Sequence, residues 1–216
     1  MNRIDERKKN LAVNYNITLN EEQKYAKQQI LNHPVNFIHG PAGSGKTLLA
    51  CGIALDQLFK KEKKKIVITR PTVATEDNGF LPGGIEEKMD PWLVPIRDNM
   101  RKFYNKPDKL KKMEEDGEIE LVSLAHFRGR TFEDSIIIVD EYQNLTKSQL
   151  SMTIGRLGLN SILIFCGDFQ QIDLKKKEDS ACIEAEKIFK HEKVYKVVLK
   201  ENHRHPVVFE LLELLK

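Results

Sequence analysis

The segment that most constrains this chain runs from Val35 to Leu55. The apolar run Val35–His39 is followed by Gly40-Pro-Ala-Gly-Ser-Gly-Lys46-Thr47 and then by the apolar stretch Leu48–Leu55. Strand, glycine loop and helix in that order are the setting a phosphate-binding loop requires. Glycines let backbone N–H groups curl around an anion, and the helix behind them adds the positive end of its dipole. Gly40, Pro41, Ala42, Gly43, Ser44, Gly45 and Leu48 would therefore surround the phosphates of ATP. Lys46 would reach the β- and γ-phosphates, and the Thr47 hydroxyl would ligate Mg2+.

The remainder of the chain reads as strands alternating with helices. Ile66–Thr69, Ile119–Val122, Ser135–Val139, Ser161–Cys166 and Val194–Leu199 are strand candidates, and the β-branched run at 135–139 fits a strand buried on both faces. Helices are expected over 20–31 with Asn20 as N-cap, 46–60, 147–157, 180–190 and 206–216. The pattern predicts an α/β fold, a mostly parallel sheet flanked by helices, in a single domain spanning residues 1–216. Residues 1–18 are polar and expected to be loosely held. Residues 70–118 hold five of the eight prolines and read as an inserted subdomain of short helices separated by turns, covering one edge of the sheet.

Composition excludes several classes. The 216 residues are 40% apolar and 31% charged, and no apolar run is long enough for a membrane span. The polar start has no secretory character, so a cytoplasmic location is expected. Cys51, Cys166 and Cys182 form no Cys-x-x-Cys pair and read as buried free thiols. The net charge is only +3, but lysines cluster at 60–65, 102–112 and 175–177, which favours a polyanionic partner.

Nucleotide hydrolysis needs a metal anchor, a water-activating group and charge stabilisation beyond a phosphate cradle. The run 136–139 ends in Asp140-Glu141, at the strand end where ligands bind in such sheets. Asp140 is the candidate Mg2+ anchor and Glu141 the candidate base. The next apolar run ends in Gly167-Asp168-Phe-Gln-Gln171, where Asp168 or Gln171 would sense the γ-phosphate. Arg204 would stabilise transferred charge or lie on the surface, and Gln23 would pair with the adenine edge.

As a set these segments resemble superfamily 1 helicases: Leu19–Gln23, Gly40–Thr47, Val139–Glu141, Gly167–Gln171 and Leu199–Arg204 stand in the order and spacing of their motifs. A closer resemblance, over about residues 17–212, is to the PhoH-like P-loop ATPases. It rests on Arg70-Pro71, Gly79–Gly83, Glu87–Pro91, Phe127–Thr131, Asp140–Asn144, Gly167–Asp173 and Arg204–Pro206. The resemblance implies a RecA-like ATPase acting on single-stranded nucleic acid, with RNA ahead of DNA. It also implies a homo-oligomer, a hexameric ring being the expected form. Arg70, Arg128 and Arg130 are then candidates for nucleic acid or for a contact between subunits. Tyr142 departs from the alanine usual in the family at that place. The short chain and its divergent start suit a phage-encoded member. Two other readings stay open: a P-loop kinase of a small substrate, and a nucleotide-switched binding module with little turnover.

Overall fold

The computed structural model describes residues 16–71 and 85–201, with positions 207, 208, 211 and 214 beyond them. For residues 85–92 it describes the backbone alone. In chain order the main elements are α1 (Glu21–Asn32), β1 (Val35–His39), α2 (Lys46–Phe59), β2 (Lys65–Thr69), α3 (Ile85–Phe103) and α4 (Pro107–Glu115). β3 (Ile119–Leu121), β4 (Ser135–Val139), α5 (Lys147–Ile154), β5 (Ile162–Gly167), α6 (Ala181–Ala185) and β6 (Val194–Val198) follow. Short 3-10 turns punctuate the loops after β3, β4, β5 and α6.

All six strands run parallel in the order β3-β2-β4-β5-β1-β6. The apolar runs explain the two-sided burial, because alternate residues feed opposite faces. Ile38, Ile66, Ile68, Ile136, Ile138 and Ile164 pack beneath α1, α2, α3 and α4. Their neighbours Phe37, Val67, Ile137, Val139, Leu163 and Phe165 pack against α5 and α6. The three cysteines are buried and free, as expected.

The order places β5 between β1 and β4, so three carboxyl ends converge along one edge of the sheet. Register sets His39 beside Gly167, and Val139 beside both Phe165 and Thr69. The residues that follow those strands are Gly40, Asp168, Asp140 and Arg70. Topology alone thus gathers four of the segments singled out above.

Residues 85–118 differ from their expected form. Between 85 and 103 lies one helix of 19 residues rather than several short ones, with Pro91 and Pro95 inside it. Leu93, Ile96, Met100 and Phe103 are buried at helical spacing and join the cluster around α2. That continuous apolar stripe compensates the backbone bonds the prolines remove. The helix expected at 180–190 is also shorter, closing as a 3-10 turn over Glu186–Ile188. Arg204 and most of the expected C-terminal helix lie outside the described residues; positions 207, 208, 211 and 214 are helical.

Candidate nucleotide site

Gly43 and Gly45 adopt positive φ, 89° and 82°, a conformation that costs other residues energy. Gly45 is the N-cap of α2, so the free N–H groups of that helix face the loop. Lys46 Nζ donates to the carbonyls of Gly40 at 2.7 Å and Pro41 at 3.0 Å, straddling the loop. The buried Ser44 Oγ in the same loop has no partner. An anion acceptor would satisfy this donor set.

Thr47 Oγ1 donates to Asp140 Oδ1 at 2.7 Å, joining the start of α2 to the end of β4. Burial, and then the charge of Glu141, pushes the Asp140 carboxyl up to about 6. A partly buried hydroxyl and a buried carboxylate of this kind are hard oxygen ligands suited to Mg2+, and a cation there would relieve the cost of the ionised carboxylate.

Glu141 sits in the left-handed region at φ 52°, an uncommon place for this residue type. That backbone turn brings its carboxylate to Gln143, whose Nε2 donates to Glu141 Oε2 at 2.7 Å. Arg70 approaches from the other side at 3.8 Å. Gln143 does more than hold Glu141: Nε2 also donates to the Gln171 carbonyl at 2.9 Å, while Oε1 accepts from the Asp168 N–H at 3.2 Å. Asn144 adds a second tie, exchanging hydrogen bonds with Asp173 at 2.8 and 3.1 Å. Neither amide was given a role from the sequence. Their signal was the Gln-Asn pair two and three residues after Glu141, opposite the polar run 168–173.

The Gln171 side chain is exposed and its backbone is fixed, by Gln143 and by the Asp168 carbonyl. Gln23 is buried at the amino end of α1, where its Oε1 accepts from the Asn20 N–H in a capping box. Gln23 faces a cleft of about 490 Å3 whose floor is Gly43, Gly45 and Leu48. The chain leaving β6 is tied to the same corner: Asn20 Nδ2 donates to Glu201, and the Lys200 N–H donates to Glu22. Lys200 and Glu201 therefore lie at the start of α1, beside the cleft.

Arg70 and Arg128 line a groove of about 470 Å3 with Ser123, Gln149 and Met152. Arg130 stands apart from them: it donates to Glu120 at 2.6 Å and covers the Phe132 ring. The lysines at 60–65 begin at the opposite end of β2, where Lys60, Lys64 and Lys65 pair with Asp56, Asp134 and Glu120. Among the described residues no cluster of His, Cys, Asp or Glu of metal-binding size occurs, and His203 and His205 fall outside them. No helix among the described residues is long and apolar enough to cross a membrane.

Tyr142 fills the space behind this edge. Its ring packs on Phe37 and Phe165, and its hydroxyl lies 2.6 Å from His39 Nε2. Burial, helped by Lys196 and Lys46, lowers the His39 pKa to about 4, so the ring is neutral at physiological pH.

A parallel sheet with a phosphate loop after one strand and an acidic pair two strands away defines a RecA-like P-loop NTPase fold. Solved structures agree on the fold. A large terminase from a thermophilic bacteriophage aligns at TM-score 0.57 and 10% identity, over 93% of this chain and 51% of that one. Pif1 helicase from Candida albicans aligns at TM-score 0.50 and 18% identity, over 92% and 43%. The "PhoH-like protein" family model matches residues 17–216, and the chain belongs to that family. PhoH-like proteins of Synechocystis and Bacillus subtilis are each 41% identical to it, over 89% and 81% of this chain. The chain spans 59% and 56% of the length of those two relatives.

Proposed function

We propose that this chain hydrolyses ATP with Mg2+ and couples hydrolysis to the binding or remodelling of single-stranded nucleic acid, RNA ahead of DNA. The observation that carries the reading is the 2.7 Å bond between Thr47 and Asp140, with Glu141 next in sequence. Thr47 and Asp140 would hold Mg2+, which supplies charge neutralisation at the phosphates when bound. Lys46 and the N–H groups at the start of α2 would bind the phosphates, and Gln23 would meet the base. Glu141 would take the proton of the attacking water, held in place by Gln143. Gln171 would read the γ-phosphate and Arg204 would balance its charge.

The groove at Arg70 and Arg128 supports a nucleic-acid path. Guanidinium groups suit phosphodiesters, and Arg70, at the end of β2, reaches both this groove and Glu141. Arg130, already paired with Glu120, is the weaker candidate of the three. The reading extends to a homo-oligomer, a hexameric ring, in which a neighbouring copy closes the exposed side of the site.

Steady-state hydrolysis with Mg2+, with and without single-stranded RNA, single-stranded DNA and duplex, tests the reading. Glu141→Gln serves as control, and light scattering reports the assembly. Stimulation by one polymer, lost in the variant, is the expected result. Hydrolysis indifferent to every polymer would remove the nucleic-acid half, and turnover in Glu141→Gln equal to the parent would remove the base assignment.

A further inference from the structure

The cleft beside the phosphate loop has two walls of different origin. Asn20 and Gln23, at the start of α1, form one; Asn99 and Lys102, in the last turns of α3, form the other. Its volume of about 490 Å3 lies in the range of small-ligand sites. We propose that Asn99 and Lys102 complete the nucleoside half of the ATP site, so that the inserted helix contacts base or sugar. The inference rests on the nucleotide reading and adds a second set of residues to it.

The helix geometry aims these two side chains. Ile96, Met100 and Phe103 form the buried stripe that faces α2. Positions 99 and 102 are three apart, one turn along, and flank that stripe on a single side. The opposite flank is occupied by internal pairs. Arg97 binds Glu114 through Nη2 at 3.0 Å, and Arg101 reaches Asp98 at 3.5 Å. Among the described residues, neither Asn99 nor Lys102 makes a hydrogen bond or ion pair that would compete for a ligand.

The wall is also anchored. The Asn16 N–H donates to the Phe103 carbonyl at 3.1 Å, so Ile17 and Thr18 bridge the end of α3 and the start of α1. The cleft is thus closed by chain on two sides and floored by the phosphate loop. The chemistry of the lining fits a nucleoside. The Asn99 amide offers one donor group and one acceptor, which matches an adenine edge or a pair of ribose hydroxyls. The Lys102 ammonium offers donors only, which suits ring nitrogens and sugar oxygens.

Nucleotide affinity measured by calorimetry separates the possibilities, using ATP, dATP, GTP and inorganic tripolyphosphate. Tripolyphosphate reports the loop alone. Asn99→Ala is expected to weaken ATP about three- to tenfold, the worth of one hydrogen bond in a partly dry site, and to leave tripolyphosphate unchanged. A loss that vanishes with dATP assigns the sugar; a narrowed ratio of ATP to GTP assigns the base. Lys102 is exposed, so Lys102→Ala keeps the fold and should weaken every nucleoside triphosphate by a similar factor. If both variants bind ATP as the parent does, the inference falls. If the parent binds neither ATP nor tripolyphosphate, the nucleotide reading falls instead.

Discussion

The guanidinium of Arg70 stands 3.8 Å from the carboxylate of Glu141, and each side chain is about three-quarters buried, 28% and 27% exposed. The candidate base is therefore held by a residue that also lines the groove proposed for nucleic acid. A phosphodiester entering that groove would compete with Glu141 for the same charge. Arg70→Ala is expected to raise hydrolysis in the absence of polymer by about two- to fivefold, the equivalent of a partly exposed ion pair. Stimulation by single strands should flatten accordingly. Rates with and without polymer check this, and an unchanged ratio would detach Arg70 from the coupling.

Gln143 bridges the segment that follows β4 and the segment that follows β5. It is buried and spends its amide on Glu141, Gln171 and Asp168. Gln143→Ala should lower kcat by about tenfold or more while the KM for ATP stays within about twofold, because the base and sensor lose their mutual register but the phosphate loop does not. A loss confined to KM would contradict this role. Chemical denaturation of the same variant should show about 1–3 kcal/mol of destabilisation from the orphaned groups.

Asp140 carries a cost that a bound cation would relieve. Its folded pKa of about 6 lies above the usual 3.8, so the fold favours the protonated form. This contribution to stability is full below about pH 3.8 and is lost as pH rises through about 6. At pH 7.5 the metal-free protein holds an ionised, buried carboxylate at a cost of about 2–3 kcal/mol. Asp140→Asn should raise the urea midpoint at pH 7.5, change it little at pH 4, and abolish Mg2+-dependent turnover. Equal midpoints at pH 7.5 would show that the carboxylate is solvated.

His39 behaves in the opposite sense. Its pKa falls from 6.5 to about 4, so the unfolded chain binds the proton first on acidification. The stability it contributes is complete above about pH 6.5 and drains away toward pH 4, amounting to about 3 kcal/mol. His39→Gln should flatten the pH dependence of stability in that window. Parallel curves for parent and variant would place the titration elsewhere.

Much of this architecture was legible because its signals are local. β-branched runs such as Ser135–Val139 admit few alternatives, and the glycine loop names its own neighbours. Asn20 was identifiable as an N-cap from its type and the acids behind it, and the structure adds its capping box with Gln23. The errors share a cause. Pro91 and Pro95 read as breaks, because the apolar stripe of α3 gains its weight only when α2 lies beneath it. The pairing of Arg130 with Glu120 was likewise hidden, because the two lie across a loop. Asn99 carried no local mark, and Lys102 only that of a general lysine cluster. Their place opposite Gln23 is a product of packing between segments some 75 residues apart, which no short pattern records.

Gly167 ends β5 directly against Tyr142, and a methyl group there would come within 2.6 Å of the ring and 2.7 Å of the Gln143 amide oxygen. The two positions are consequently bound in their history. A lineage that kept the tyrosine could not enlarge residue 167 without prying the sensor segment from the acidic strand. Trimming 142 alone would not admit bulk at 167, because the Gln143 amide oxygen would still stand 2.7 Å away. Two consecutive residues, 142 and 143, therefore hold position 167 to glycine together.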